Sequence, residues 1–211
     1  MANVQVITAC PFEPVSVDDM MLHSRIDSDT EYTYVSGLIS AARRHIEQVT
    51  WRQLMPATLE MVMDDWPGGR ELKVLRPPLI SVSSLKYTSA AGAETTFSAS
   101  DYVVDTSSEP ARLVLKANVS WPGTELAAAA GIRLRYLAGY GTAALTTSSS
   151  QADITAARLA VPETLRHAIK MLAAHWYENR EQVVAQPGVS VAITMPFAVD
   201  ALLQNERVWE W

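Results

Sequence analysis

Ile46-Glu47-Gln48-Val49-Thr50-Trp51-Arg52-Gln53-Leu54-Met55-Pro56-Ala57-Thr58-Leu59-Glu60-Met61-Val62-Met63 changes its hydrophobic period part-way along. Up to Val49 the apolar residues recur at three- and four-residue steps. Beyond Pro56, Leu59, Met61 and Met63 alternate with Glu60, Val62 and Asp64. The first period puts side chains on one face of a helix, the second on one face of a strand. Pro56 stands just past the expected helix end, where a chain stop is common. Segregated helical and strand-rich stretches make this an α+β chain.

Reading outward toward the N-terminus, the helix runs from about Thr30 to Arg52. Tyr32, Val35, Leu38, Ile39, Ala42, Ile46 and Val49 share one face, and Asp29 is the expected cap. Such a helix would be about 34 Å long. A shorter helix starts after Ser16, which can cap it, with Asp18 and Asp19 suiting the dipole of its first turn. Residues 1–56 thus read as the N-terminal helical part of a core.

From 57 to 141 the pattern is that of antiparallel strands. Leu72-Lys73-Val74-Leu75, Val82 with Leu85 and Tyr87, Tyr102-Val103-Val104, Leu113-Val114-Leu115, and Ile132 with Leu134 and Tyr136 follow the first strand. Pro67-Gly68-Gly69, Pro77-Pro78, Ala91-Gly92 and Trp121-Pro122-Gly123 break the runs. About six strands fit an inserted β-rich subdomain built as a small sandwich or partly open barrel. Residues 142–160 are rich in Ser, Thr and Ala and read as a flexible loop, with room for a short helix near Asp153–Leu159. From 161 to 211 a helix begins at Val161-Pro162-Glu163. Its apolar face is Leu165, Ala168, Ile169, Leu172, Ala173, Trp176 and Tyr177. Val189–Pro196 is extended, as a hairpin arm or loop. Ala198–Glu206 is a short last helix, and a tail ends in Trp209-Glu210-Trp211. The fold expected is a helical core of two N-terminal helices, one long C-terminal helix and a short last helix, with the β subdomain inserted.

Composition narrows the function classes. The formal net charge is -6. It is spread evenly: 4 basic against 7 acidic residues in 1–55, 8 against 9 in 56–141, and 5 against 7 in 142–211. Without a basic cluster, tight sequence-specific DNA binding is not expected. Cys10 is the only cysteine, so an internal disulfide is excluded. The first ten residues lack a basic start and a long apolar core, so no signal peptide is expected. No apolar run nears the ~18 residues of a membrane span.

Candidate chemistry is sparse. His167 and His175 are eight apart, not at the three- or four-residue spacing of helical zinc ligands, so no metal site is expected. Asp64 and Asp65 are adjacent, so on a strand they would face opposite ways and converge poorly for acid–base work. Gly139-Tyr140-Gly141 lacks the rest of a phosphate-binding fingerprint. No serine sits in a nucleophile-elbow setting. No cofactor is called for. Trp209 and Trp211 stand out, because large aromatics at a chain end are costly to leave wet and are favoured at interfaces, so they dock either onto the subunit's own surface or onto a partner.

Ala174-His175-Trp176-Tyr177-Glu178-Asn179-Arg180-Glu181, closing the long C-terminal helix, resembles a signature of the head–tail connector (adaptor) family of long-tailed bacteriophages. Further segments resemble that family in order. They are Ala41-Ala42-Arg43, Arg76-Pro77-Pro78-Leu79, Asp101-Tyr102-Val103-Val104, Ser120-Trp121-Pro122, Ala138-Gly139-Tyr140-Gly141, Val161-Pro162-Glu163, Ala198 to Leu203, and Arg207-Val208-Trp209. The tract 142–160 departs from the family pattern, which passes quickly from Gly-Tyr-Gly to Val-Pro-Glu. The resemblance implies a structural protein without enzymatic activity, made in the host cytoplasm and placed at the head–tail interface of a virion. It implies a homo-oligomeric ring, typically of twelve subunits, between a portal protein and a stopper or tail-completion protein. DNA passes through the centre without specific recognition, and no membrane is involved. Leu202, Leu203, Arg207, Val208, Trp209 and Trp211 would face the portal. Two rivals remain: a small hydrolase using Asp64, Asp65 or Glu60, and a DNA-packaging accessory protein.

Overall fold

The Ser16 hydroxyl accepts the Asp19 N–H at 3.0 Å and starts helix α1 (Val17–Ser24), satisfying a donor that the first turn leaves unpaired. Arg25, left-handed at φ 53°, closes it. A 3-10 turn (Asp29–Glu31) leads into α2 (Tyr32–Thr50). Asp29 does not cap α2 as expected. It lies inside the 3-10 turn, whose own Glu31 N–H to Ser28 carbonyl bond occupies that position. Trp51 turns left-handed at φ 58° and stops α2 short of Arg52. The computed structural model describes residues 2–180, 183–186, 189–192 and 197–208.

Val35, Ile39, Ala42 and Ile46 are buried along α2, as their spacing predicts, while Tyr32 stays exposed. They pack on α4 (Glu163–Glu178), which buries Leu165, Ala168, Ile169, Leu172 and Ala173. The two helices run antiparallel. The Tyr177 hydroxyl donates to Glu31, and Arg180 meets the same carboxylate at 3.0 Å, at the start of α2. At the other end, Thr164 donates to the Glu206 carboxylate at 2.8 Å, and Arg52 donates to the Glu206 carbonyl at 2.7 Å. Each apolar side chain taken fully out of water there contributes about 1.5–3 kcal/mol. Helix α5 (Phe197–Gln204) adds Val199 and Leu203 to the same core.

About half of the tract 142–160 is helical, and the helix covers the Asp153–Leu159 segment for which the sequence leaves room. Ser150 caps α3 (Gln151–Ala160) by accepting the Asp153 N–H at 3.2 Å. Ile154 and Ala157, three residues apart, fall on one side and are buried, Ala157 within the helical core. Arg158 ties the helix down by donating to the Glu13 carbonyl at 2.9 Å.

The strands form three antiparallel groups. A five-stranded sheet has the order β1 (Asn3–Thr8), β2 (Ala57–Met63), β8 (Ile132–Ala138), β4 (Leu79–Thr88), β5 (Glu94–Phe97). A three-stranded sheet has the order β3 (Glu71–Lys73), β7 (Arg112–Leu115), β6 (Tyr102–Asp105). A hairpin joins β9 (Val183–Gln186) to β10 (Val189–Ala192), matching the expected extended arm where it is described; 193–196 lie outside the described residues. Opposite residues Leu59 and Tyr136, Met61 and Leu134, and Met63 and Ile132 line one face of the larger sheet. They bury one core together with Leu72, Leu113, Leu115 and Tyr102 of the smaller sheet, so the arrangement is a sandwich. Seven described strands lie between 57 and 141 rather than about six. The unforeseen one, β5, has only Phe97 buried. The N-terminal part also begins with a strand, β1, and not with helix. A bulge between Val82 and Ser84 explains why Val82 and Leu85 break strict alternation yet share a strand.

Candidate assembly interface

The helical core and the sandwich meet at a polar joint around Glu47. Its carboxylate takes Arg43 at 2.7 Å, the Gln53 amide at 3.2 Å and the Leu54 N–H at 3.0 Å. Arg43 also holds Glu13 at 2.6 Å, and Arg76 donates to the Glu47 carbonyl at 2.8 Å. Burial pushes the Glu47 carboxyl up, against Arg43 and the Leu54 N–H, which pull it down. Every charge here has a partner, as a buried polar network requires. The backbone completes the joint. Gln53 donates to the Pro77 carbonyl, Gly139 to Pro78 and Tyr140 to Leu54, each at 2.9 Å. Gly139 sits at φ +130°, and a Cβ there would lie 2.6 Å from the Met55 carbonyl. These contacts fix the angle between the two layers, and apart from the i,i+4 pair of Arg43 and Glu47 none is visible in local sequence spacing.

The C-terminal segment docks beside this joint. The Val208 N–H donates to the Thr50 carbonyl at 3.0 Å, and Arg207 pairs with Asp200 at 3.1 Å. Of the residues expected to face a portal, Leu203 is buried in the helical core and Leu202 is half-buried against it. Arg207 and Val208 are half-buried, and Trp209 and Trp211 lie outside the described residues. Trp51, half exposed, stands next to Thr50 with the Arg76 guanidinium 5.1 Å over its ring, a contact the sequence reading missed.

Several large apolar side chains are left in water. Leu22 on α1 is 81% exposed, and Leu159 on α3, Val6 and Ile7 on β1, and Val103 and Val104 on β6 are also exposed. Both β1 and β6 are edge strands. Exposed apolar edges are templates for pairing with another chain. A cavity of about 350 Å³ opens between β1 and α2, walled by Val4, Val6, Phe12, Arg43, Arg44 and Arg76 among others.

The acidic residues of the rival enzymatic reading are dispersed in role. Glu60 is buried and pairs with Arg135 at 3.2 Å. Asp64 accepts the Ala130 N–H at 3.0 Å, and Asp65 is exposed beside it. Asp64 and Asp65 line an open cavity of about 490 Å³ that Glu60 does not reach. His23 and His167, far apart in sequence, meet edge to face at 5.9 Å. Among the described residues no three His, Cys, Asp or Glu side chains gather as a metal group, and no helix is long and apolar enough to cross a membrane.

No protein-family model matches the chain, and no curated protein is significantly similar to it. Solved structures are. A chain in the neck of the empty gene transfer agent (GTA) particle, computed with C6 symmetry, is similar over 99% of this chain and 97% of its own, at 22% identity and a TM-score of 0.76. A chain in the virion of the native gene transfer agent particle is similar at 22% identity and a TM-score of 0.73, over 99% and 96%. One in the neck of the native particle, computed with C12 symmetry, gives 22% and 0.71, over 99% and 97%. From end to end, helical core and sandwich together, this chain has the fold of chains found in gene transfer agent necks.

Proposed function

We propose that this chain is a structural ring subunit at the neck of a phage-like particle, a head–tail connector that transforms no substrate. The observation that carries the reading is the likeness in fold over nearly the full length of both chains to components of symmetric necks. Twelve copies would surround an axis, below a portal and above a stopper or tail-completion protein, with DNA passing through the hole. The even spread of acidic charge suits a channel through which DNA slides. The rigid joint at Glu47 and Gly139 suits a part that must hold two layers at a set angle.

The C-terminal segment is the portal-facing end in this reading. Leu202, Arg207, Val208, Trp209 and Trp211 carry the contact, and Leu203 anchors α5 in the helical core. Electron microscopy of the purified chain should show rings, and a pull-down should join it to the portal protein of the same particle. A chain that remains monomeric and never binds that portal contradicts the proposal.

A further inference from the structure

Among the described residues, strand β1 pairs with β2 along one edge and leaves the other open. Five of its six residues are exposed, Val6 at 55% and Ile7 at 44%. Natural edge strands are guarded by charge, by proline or by being very short. From Ala2 to Thr8 there is no charge and no proline.

The chain carries a second unguarded ribbon. Hairpin β9–β10 forms a two-stranded sheet of its own and has not joined the sheet of β1. No charged residue lies between Glu181 and Asp200. An isolated two-stranded hairpin is marginal in water and gains from a third strand. Its first strand begins three residues after Arg180, which pairs with Glu31 at the start of α2. β1 lies further along, where Val4 and Val6 share a cavity wall with Arg43 and Gln48. At 1.5 Å per residue the two sites stand about 18–25 Å apart along α2. The chain enters the hairpin near one end of α2, where Arg180 pairs with Glu31, and the open edge of β1 lies beside the other end. Two different patches that fit each other give a head-to-tail contact, the kind that closes a ring.

We propose that β9–β10 of one copy adds to the open edge of β1 on the next copy, extending the five-stranded sheet across the subunit boundary. This rests on the ring reading above. The test uses the full chain with Cys10→Ser, Gln5→Cys and Ser190→Cys. The linker is a bismaleimide long enough for opposite and diagonal strand neighbours, about 5–8 Å. The double-cysteine protein should give a denaturing-gel ladder from dimer upward, and either cysteine alone should not. A second variant, Val6→Lys, places a charge on the exposed strand. Ring yield should fall about tenfold or more while the melting temperature of the monomer stays unchanged. Rings that form with no ladder, or that persist in Val6→Lys, overturn this contact and leave the ring standing. The absence of rings from the unaltered chain at every concentration overturns the ring reading itself.

Discussion

Replacing Gly139 with alanine should be among the most damaging single changes in the chain. The residue sits at φ +130°, where an L side chain is strained by about 1–2 kcal/mol. The new Cβ would lie 2.6 Å from both the carbonyl carbon and oxygen of Met55, and 2.7 Å from the Pro56 nitrogen. Non-bonded carbons prefer about 3.5–4.0 Å, so one backbone must move. Movement would strain the bonds from Gly139 to Pro78 and from Tyr140 to Leu54, each worth about 1 kcal/mol. The expected loss is about 3–4 kcal/mol, a large share of the roughly 5–15 kcal/mol that stabilises a domain. Urea unfolding followed by circular dichroism measures it, and heating should show a drop on the order of 10 °C. Gly123→Ala is the control. No atom lies within 4 Å of its Cβ, and its φ is not positive. A Gly139→Ala protein within about 1 kcal/mol of the parent would refute the argument, because a relaxed joint cannot be the rigid one described.

Other outcomes follow from the same structure. Gly37, inside α2 with open space around it, should gain about 0.5–1 kcal/mol on change to alanine, read by the same urea titration. Glu47→Ala leaves Arg43, Gln53 and the Leu54 N–H without their shared acceptor and should cost about 3 kcal/mol. A cost below that of an ordinary surface change would show the network to be dispensable. The Asp105 carboxyl, held by the Ser107 hydroxyl and N–H and by Arg112, is pushed down to about 2. Because its folded value is depressed, its contribution is present at neutral pH and fades as pH falls from about 4 toward 2. Carbon-detected NMR of Asp105 should place its midpoint below that of an ordinary aspartate, and Arg112→Gln should raise it.

How much was legible in sequence varied with burial. β2 and β8 could be read because one face of each is buried, so Leu59, Met61, Leu134 and Tyr136 must alternate. α4 could be read because its apolar face is continuous from Leu165 to Ala173. β1 was missed because both its faces are largely wet, so its identity comes from the partner strand β2 and not from its own pattern. α3 was half-seen because only Ile154 and Ala157 are buried, inside a tract whose composition resembles a linker. The candidate interface was less legible still. The role of Leu203 came from resemblance, which says nothing of burial, and the structure places that side chain in the helical core. The joint of Glu47, Gln53, Arg76 and Gly139 draws on three separate stretches, and no local periodicity brings them together.

Cryo-electron microscopy of the purified chain mixed with its portal protein is the most direct test of the central claim. The account predicts closed rings, twelvefold in symmetry and coaxial with the portal, each subunit showing the sandwich and helical core fixed at one angle. Only free monomers beside undecorated portals would contradict it.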